Sequence, residues 1–177
     1  MDEQTIIKSV IHAATEVFGT MLALEIKPGE AFVEQNELPA SEKVVALIGL
    51  AGQWIGTGML SCSPRFACKI ASIMLMAEYE SVDGDVLDAM AEMSNMIYGN
   101  VKNELEAELG PMGLSIPTVI FGKNFATKSV GQQSWTVIPV KSGDDDMELK
   151  ICLTPNRDFQ THARTQMRSF ALQHGEA

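Results

Sequence analysis

The sequence predicts an α+β fold, from three stretches of helical spacing and five strand-like apolar runs. Apolar residues recur three and four positions apart near residues 3–25, 63–79 and 85–109. The strand-like runs are bounded by turn residues and come between and after these helices. The predicted order is helix, two strands, two helices and three strands. With 177 residues, of which 46% are hydrophobic and 20% charged, the chain suits one domain with a sizeable core.

The first element is an amphipathic helix over about residues 3–25. Pro28-Gly29 ends its pattern, because proline and glycine interrupt helices. A polar, acidic link follows. The apolar face of the helix consists of Ile6, Ile7, Val10, Ile11, Ala14, Val17, Phe18, Met21 and Leu22.

A β-hairpin and a second helix come next. Residues 43–50 are aliphatic and β-branched, Ala51-Gly52-Gln53 has the composition of a turn, and residues 54–61 resume as a strand. Ser63-Pro64 then marks a helix start, since serine caps free backbone N–H groups and proline fits the first turn. This helix is predicted to end near Tyr79.

The longest predicted helix, residues 85–109, has two different faces. A stripe about 120° wide, as expected of a core-facing surface, contains Leu87, Met90, Ala91, Ser94, Ile97, Tyr98, Val101, Leu105 and Leu109. A narrow polar file along another side contains Asp88, Glu92, Asn95, Gly99 and Asn103. A solvated face normally mixes Lys, Glu and Gln, whereas this file presents two carboxylates, an amide and a glycine. The file therefore predicts a surface on which something docks.

Three features of this helix leave alternatives open. The acid, acid, amide spacing is weak evidence by itself, because acids followed by asparagine are common on helix surfaces. Gly99 costs about 1 kcal/mol of helix stability relative to alanine. It therefore serves either close approach by another surface or tight packing against a neighbouring element. Met96 lies about 180° from Leu87, so we expect an exposed rim or a contact with a partner.

Three strands are predicted after Gly110-Pro111-Met112-Gly113 ends the long helix. They cover residues 114–121, 134–140 and 147–153, and the last two form a hairpin. The acidic turn Ser142-Gly143-Asp144-Asp145-Asp146 between them is expected to be solvated.

The predicted organisation is one domain over residues 1–155 and a tail over residues 156–177. The tail carries Phe159, Met167, Phe170 and Leu172 among arginines, which is compatible with a final helix or a frayed end. A long helix, a proline-marked link and strands occur twice, the two helices beginning about 80 residues apart. This order indicates a weak internal pseudo-repeat.

Charge and composition argue against several classes of function. A net charge of −10, with 13 Lys and Arg spread along the chain, is unfavourable for binding nucleic-acid phosphates. The sequence contains neither a secretory signal pattern nor an apolar run long enough to span a membrane, so a cytoplasmic protein is expected. Cys62, Cys68 and Cys152 form no CxxC motif and are expected to be buried free thiols.

Other motifs have structural explanations. The pattern Gly52-x3-Gly56-x-Gly58 lies in a hairpin without the helix N-terminus that a phosphate loop requires. The three aspartates at 144–146 lack the alternating ligands of a calcium loop. His12, His162 and His174 have no metal-ligand spacing, and no G-x-S-x-G serine is present. The sequence shows no machinery for nucleophilic catalysis.

The long helix and its exit resemble a known family. Asp88, three residues, Glu92, two residues and Asn95, with Pro117 following after 21 residues, resemble the signature of the CheC, CheX and FliY phosphatases of bacterial chemotaxis. The family spacing before the proline is about 22 residues. The flanking sequences MSNMIYGN and GLSIPT are also similar. Because one motif is present, where CheC carries two, the chain resembles CheX most closely, over about residues 3–154.

The resemblance implies a CheC/CheX-like fold, with one sheet packed against long helices, and a phosphatase acting on a phosphorylated, CheY-like receiver domain. Asn95 would orient the attacking water and Glu92 would pair with a lysine of the receiver, with Asp88 and Gly99 in supporting roles. The Mg²⁺ would belong to the receiver, so the chain would need no cofactor of its own. An amide cannot act as a general base, which fits positioning of water rather than proton abstraction.

A second hypothesis is a non-catalytic docking or assembly module, because the same fold recurs in flagellar switch proteins. The presence of both Glu92 and Asn95 favours the enzyme, since a scaffold has no chemical reason to keep that pair. A free strand edge or a shared sheet could also make the chain a homodimer. No nucleic-acid or membrane partner is expected.

Overall fold

Three helices pack against an antiparallel sheet in the computed structural model, which describes residues 2–34, 42–122 and 134–157. The helices are α1 (Glu3–Leu22), α2 (Pro64–Leu75) and α3 (Gly84–Leu109). The strands are β1 (Lys27–Pro28), β2 (Phe32–Glu34), β3 (Lys43–Gly52), β4 (Trp54–Cys62), β5 (Met112–Leu114), β6 (Thr118–Gly122), β7 (Trp135–Ser142) and β8 (Asp145–Pro155). The α+β class is confirmed, and each predicted helix and strand has a counterpart.

Polar N-caps begin all three helices. Asp2, Ser63 and Asp83 have extended backbones, and their side chains accept hydrogen bonds from backbone N–H groups in the first turns of α1, α2 and α3. Each cap satisfies one donor that an α-helix leaves without an internal partner. The predicted role of Ser63 is confirmed.

The strands form one sheet in the order β1-β7-β8-β4-β3-β5, with β2 also pairing with β7 and β6 with β3. Two hairpins, β3–β4 and β7–β8, lie side by side, and β4 pairs with β8 at the centre. The split strand β1/β2 joins the second hairpin, whereas β5/β6 joins the first. The halves α1–β4 and α3–β8 are therefore equivalent in topology, as the predicted pseudo-repeat requires.

Helix α3 is buried over a wider face than the predicted stripe. Val86, Ala89 and Met93 are also buried, because α3 contacts α1 and α2 as well as the sheet. Met96 is half-buried and packs against the main core, so its predicted position on an exposed rim is wrong. Leu87, a member of the predicted stripe, is only half-buried.

Helix α2 ends earlier than predicted, at Leu75 rather than near Tyr79. Met76 adopts a left-handed conformation with φ of 52°, which stops the helix. The Ser72 hydroxyl then accepts a hydrogen bond from the backbone N–H of Tyr79 at 3.0 Å. The Ser72 side chain thus satisfies the Tyr79 N–H group, which has no helical partner once α2 has ended.

Two short strands precede β3, where the sequence predicts only a polar, acidic link, and the predicted strand at 114–121 is two strands. The break between β5 and β6 falls at Ser115, Ile116 and Pro117. Proline has no N–H to donate to a sheet, which explains an interruption there. Both pieces still pair with β3, so the edge of the sheet continues past the break.

The acidic turn is tighter than predicted and is not fully solvated. Strands β7 and β8 extend to Ser142 and Asp145, with Gly143 at a φ of 60° between them. Asp145 is only 5% exposed and forms ion pairs with Arg65 and Lys69 of α2. This aspartate therefore has a structural role that its position in an acidic run did not indicate.

The three cysteines are buried free thiols, as predicted. Burial raises the pKa of the Cys62 thiol to about 12, so this thiol stays protonated at neutral pH. None of the described helices combines the length and apolar composition that crossing a membrane requires. The tail from residue 158, with His162 and His174, lies outside the described residues, and the proposed division at residue 155 stays a prediction.

Candidate functional site

The orientation of α3 is set by Tyr98, which lies on the buried side of the helix. Its hydroxyl is 2.6 Å from the carbonyl oxygen of Met59 and 2.7 Å from that of Lys150, which are paired residues of β4 and β8. Gly58 makes room for the ring, since a Cβ there would lie 2.5 Å from it. The charged and amide side chains Asp88, Glu92 and Asn95 are thereby left on the exposed side of the helix.

Asp88, Glu92 and Asn95 all lie exposed on α3, at one groove of about 470 Å³. The opposite wall is the segment from Leu114 to Pro117, so the structure brings Pro117 beside the three polar residues. Among the described residues, none of the three side chains has a hydrogen-bond or ion-pair partner. Their polar atoms are therefore available to another molecule.

The groove wall is held to the sheet by Ser115. Its backbone N–H donates to the carbonyl oxygen of Gly49 at 2.9 Å, and the Gly49 N–H donates to the Ser115 hydroxyl oxygen at 2.8 Å. The same hydroxyl donates to the carbonyl oxygen of Ile116 at 3.0 Å. Because Gly49 has no side chain, the two segments can approach this closely.

The groove ends before Gly99 and Asn103, which do not line it. A Cβ added to Gly99 would meet only one atom of Leu114, at 3.9 Å, which is an ordinary van der Waals contact. Tight packing therefore does not require a glycine at this position. Asn103 accepts a hydrogen bond from its neighbour Lys102.

The chemistry available in the groove is positioning and charge pairing. Its lining offers two carboxylates and one amide, and no basic side chain among the described residues. The only hydroxyl in that lining, on Ser115, is engaged as both donor and acceptor. The described residues hold no cluster of three or more His, Cys, Asp or Glu suited to a metal ion. The site thus suits a cationic group on a partner and a water held by an amide.

A larger cavity of about 640 Å³ lies elsewhere, at the ends of strands β1, β3, β4, β7 and β8. Its described lining includes Lys27, Lys43, Cys62 and Glu148, and none of the polar file of α3. The carboxylate of Glu148 accepts hydrogen bonds from Lys43 and from the hydroxyl of Ser61, within the sheet's own network. Glu148, Lys43 and Ser61 are thus engaged with one another, whereas the carboxylates and the amide of the smaller groove have no described partner, so the smaller groove is the better candidate site.

Comparison with known proteins relates the chain to a family. Residues 44–141 match the family model described as "Chemotaxis phosphatase CheX". The chain is 31% identical over 149 residues to the CheY-P phosphatase CheX of Thermotoga maritima, which covers 82% of this chain and 95% of the relative.

Two solved structures have closely similar folds. The crystal structure of CheX from Desulfovibrio desulfuricans has a TM-score of 0.76 and 26% identity, and the match covers 84% of this chain and 99% of that one. The complex of CheX with CheY, BeF3 and Mg²⁺ from Borrelia burgdorferi contains a chain with a TM-score of 0.72 and 25% identity. That match covers 84% of this chain and 97% of the other.

Proposed function

The chain belongs to the CheX family, and on that premise we propose that it is a phosphatase hydrolysing the aspartyl phosphate of a CheY-like receiver domain. The observation on this chain that carries the proposal is the exposure of Glu92 and Asn95, without described partners, in one groove with Pro117. The name of the Thermotoga maritima relative and the CheX–CheY complex from Borrelia burgdorferi support the choice of substrate.

Asn95 would enter the receiver's active site and orient the attacking water. Hydrolysis of an acyl phosphate by in-line attack needs little covalent chemistry from the catalyst, because the rate depends on placing the nucleophile and stabilising charge. An amide can hold a water through both its N–H and C=O groups but cannot remove its proton at neutral pH. The absence of a free nucleophile among the described groove residues is compatible with this mechanism.

Glu92 would pair with an active-site lysine of the receiver and fix the docked orientation. Its position one helical turn before Asn95 allows both side chains to reach the same partner. Asp88, one turn further back, would add negative charge at the edge of the contact. Gly99 would permit close approach beyond the groove.

The Mg²⁺ of the reaction is assigned to the receiver. When bound there it neutralises charge on the transferred phosphoryl group. Two carboxylates and an amide from one helix face are a poor match to a closed metal site of this chain's own, and the described residues supply no other ligand cluster. The protein and its receiver would meet in the cytoplasm, and a homodimer stays a prediction.

The decisive experiment measures phosphate release from a panel of purified, phosphorylated CheY-like receivers, with and without the protein. Acceleration by the wild type is expected, and Asn95→Ala should lower the rate at least about 100-fold, as loss of one positioned hydrogen-bonding group does in other enzymes. Binding of Asn95→Ala to a receiver activated with beryllofluoride should stay within about threefold of wild type.

Matched controls lie on the same helix. Asn103→Ala removes an exposed amide from the same file but outside the groove, and Glu108→Ala removes an exposed carboxylate near the end of α3. Both should leave the rate unchanged, whereas Glu92→Ala should lower both binding and rate. Binding without accelerated release for every receiver would favour the docking module, and full activity of Asn95→Ala would refute the mechanism.

A further inference from the structure

Ile116 is an exposed aliphatic side chain at the edge of the catalytic groove. It is 89% exposed and lines the groove together with Asn95 and Pro117. An isolated exposed apolar residue needs no explanation by itself. The backbone that carries Ile116, however, is fixed without any contribution from that side chain.

Three features hold residues 115–117 in place. Ser115 exchanges two hydrogen bonds with Gly49 and donates a third to the carbonyl oxygen of Ile116. Pro117 restricts the backbone of Ile116, the residue before it, to extended conformations. The adjoining strands β5 and β6 are both paired with β3. The isoleucine is thus presented in a defined position and contributes little to its own placement.

We infer that Ile116 is an affinity- and specificity-determining residue, which packs against an apolar patch beside the phosphorylation site of the receiver. This inference rests on the proposed function. Because Ile116 and Asn95 line one groove, a partner that brings its phosphoryl group to Asn95 must also cover Ile116.

The expected energetic role follows from the composition of the groove. Interface energy concentrates in a few buried apolar or aromatic anchors, and polar contacts contribute mainly orientation and specificity. Asp88 and Glu92 attract the cationic side of the receiver's active site. Ile116 would supply the apolar contact that excludes water from the margin of the groove. Its effect therefore belongs to binding and not to the chemical step.

A second copy of this chain is the competing occupant. Its docking on Ile116 would cover Asn95 as well and would block the proposed activity. Continuity with the catalytic groove therefore favours the receiver, and the oligomeric state provides a direct check.

The test separates KM from kcat, using the full chain and a receiver identified by the phosphate-release panel. Ile116→Ala should raise KM about tenfold and weaken binding to the beryllofluoride-activated receiver equally, with kcat within about twofold of wild type. Ile116→Asp should weaken binding further, and Ile116→Leu should restore most of it. Met76→Ala is the matched control, because Met76 is 93% exposed but does not line the groove.

Each result decides between stated alternatives. Unchanged KM and binding for Ile116→Ala, with Asn95→Ala inactive, would overturn the role of Ile116 and leave the proposed function standing. A change of kcat alone would also overturn it, and so would a wild-type dimer, measured by sedimentation, that Ile116→Asp dissociates. If no receiver is dephosphorylated by the wild type, the proposed function fails and this inference fails with it.

Discussion

Individual residues of α3 differ in how much the fold requires them. Asn95 and Glu92 have no structural partner among the described residues, so their replacement should change function with little effect on stability. Tyr98 is the opposite case, because its buried hydroxyl contacts two backbone carbonyls at the centre of the sheet. Ser94, next to Asn95, is fully buried, and its hydroxyl has no hydrogen-bond partner in the described part of the chain.

Gly99 provides a prediction at this scale. Gly99→Ala should raise the free energy of unfolding by about 0.5–1 kcal/mol, because alanine favours the helix and the added Cβ meets only Leu114 at 3.9 Å. Denaturant unfolding measures the change. Gly19, on α1 with open space at its Cβ position, gives a control in Gly19→Ala, which should stabilise comparably.

The activity of the same variant tests the functional role of Gly99. If the receiver approaches the helix backbone there, Gly99→Ala should raise KM several-fold despite its greater stability. A more stable variant with unchanged KM would show that close approach is not needed at this position.

At the scale of elements, polar contacts join α1 to α3 on their exposed sides. His12 lies 2.7 Å from the carboxylate of Glu104, and Asn100 donates a hydrogen bond to Glu16 at 3.3 Å. The hydrogen bond and negative charge of Glu104 raise the pKa of His12, partly opposed by desolvation, and Glu16 adds to the rise. The two helices are therefore coupled by an ion pair whose imidazole, on His12, has a raised pKa.

The pH dependence of this contact has a definite sign. Because the pKa of His12 is higher in the folded protein than its usual value of 6.5, the contact stabilises the fold below about pH 6.5. That contribution is lost as the pH rises through the raised value. The wild type should therefore be more thermally stable than His12→Gln at pH 6, and this difference should be smaller at pH 9. Glu104→Gln should likewise be less stable than the wild type at pH 6, with a smaller difference at pH 9. An equal difference in stability between wild type and variant at the two pH values would contradict this prediction.

Across the whole molecule, ion pairs connect α2, which lies between the two halves in the sequence, to the β7–β8 hairpin. Asp145 at the start of β8 is 5% exposed and pairs with Arg65 and Lys69, whose side chains are 72% and 44% exposed. Only the carboxylate is buried, so solvent moderates the interaction from the basic side. The pairs fix α2 against the β7–β8 turn.

Replacing this aspartate should be costly. Asp145→Asn should lower the free energy of unfolding by about 1–3 kcal/mol, since a buried carboxylate with two cationic partners is removed. Asp146→Asn is the matched control, because the Asp146 side chain is 74% exposed and lies 3.6 Å from Lys141. It should change stability by less than about 0.5 kcal/mol. Equal effects of the two variants in denaturant unfolding would refute the structural role of Asp145.

The sequence by itself determined the α+β class, the three helices, the Ser63 cap of α2, both hairpins and the polar file. These features depend on local spacing and on residues such as Ser63-Pro64 and Gly110, whose preferences act over a few positions. The family relationship was also visible from Asp88, Glu92, Asn95 and Pro117, and the comparisons confirm it. The catalytic roles of those residues stay a prediction.

Only the tertiary structure decided which residues meet across the fold. The strands β1 and β2 are too short for a sequence pattern and exist because they pair with β7. The wide buried face of α3 and the burial of Asp145 follow from neighbours distant in sequence. The end of α2 at Leu75 follows from the left-handed conformation of one residue, Met76. The groove likewise needs β3 to hold Ser115, and with it Ile116, opposite Asn95, a contact between segments that local spacing cannot specify.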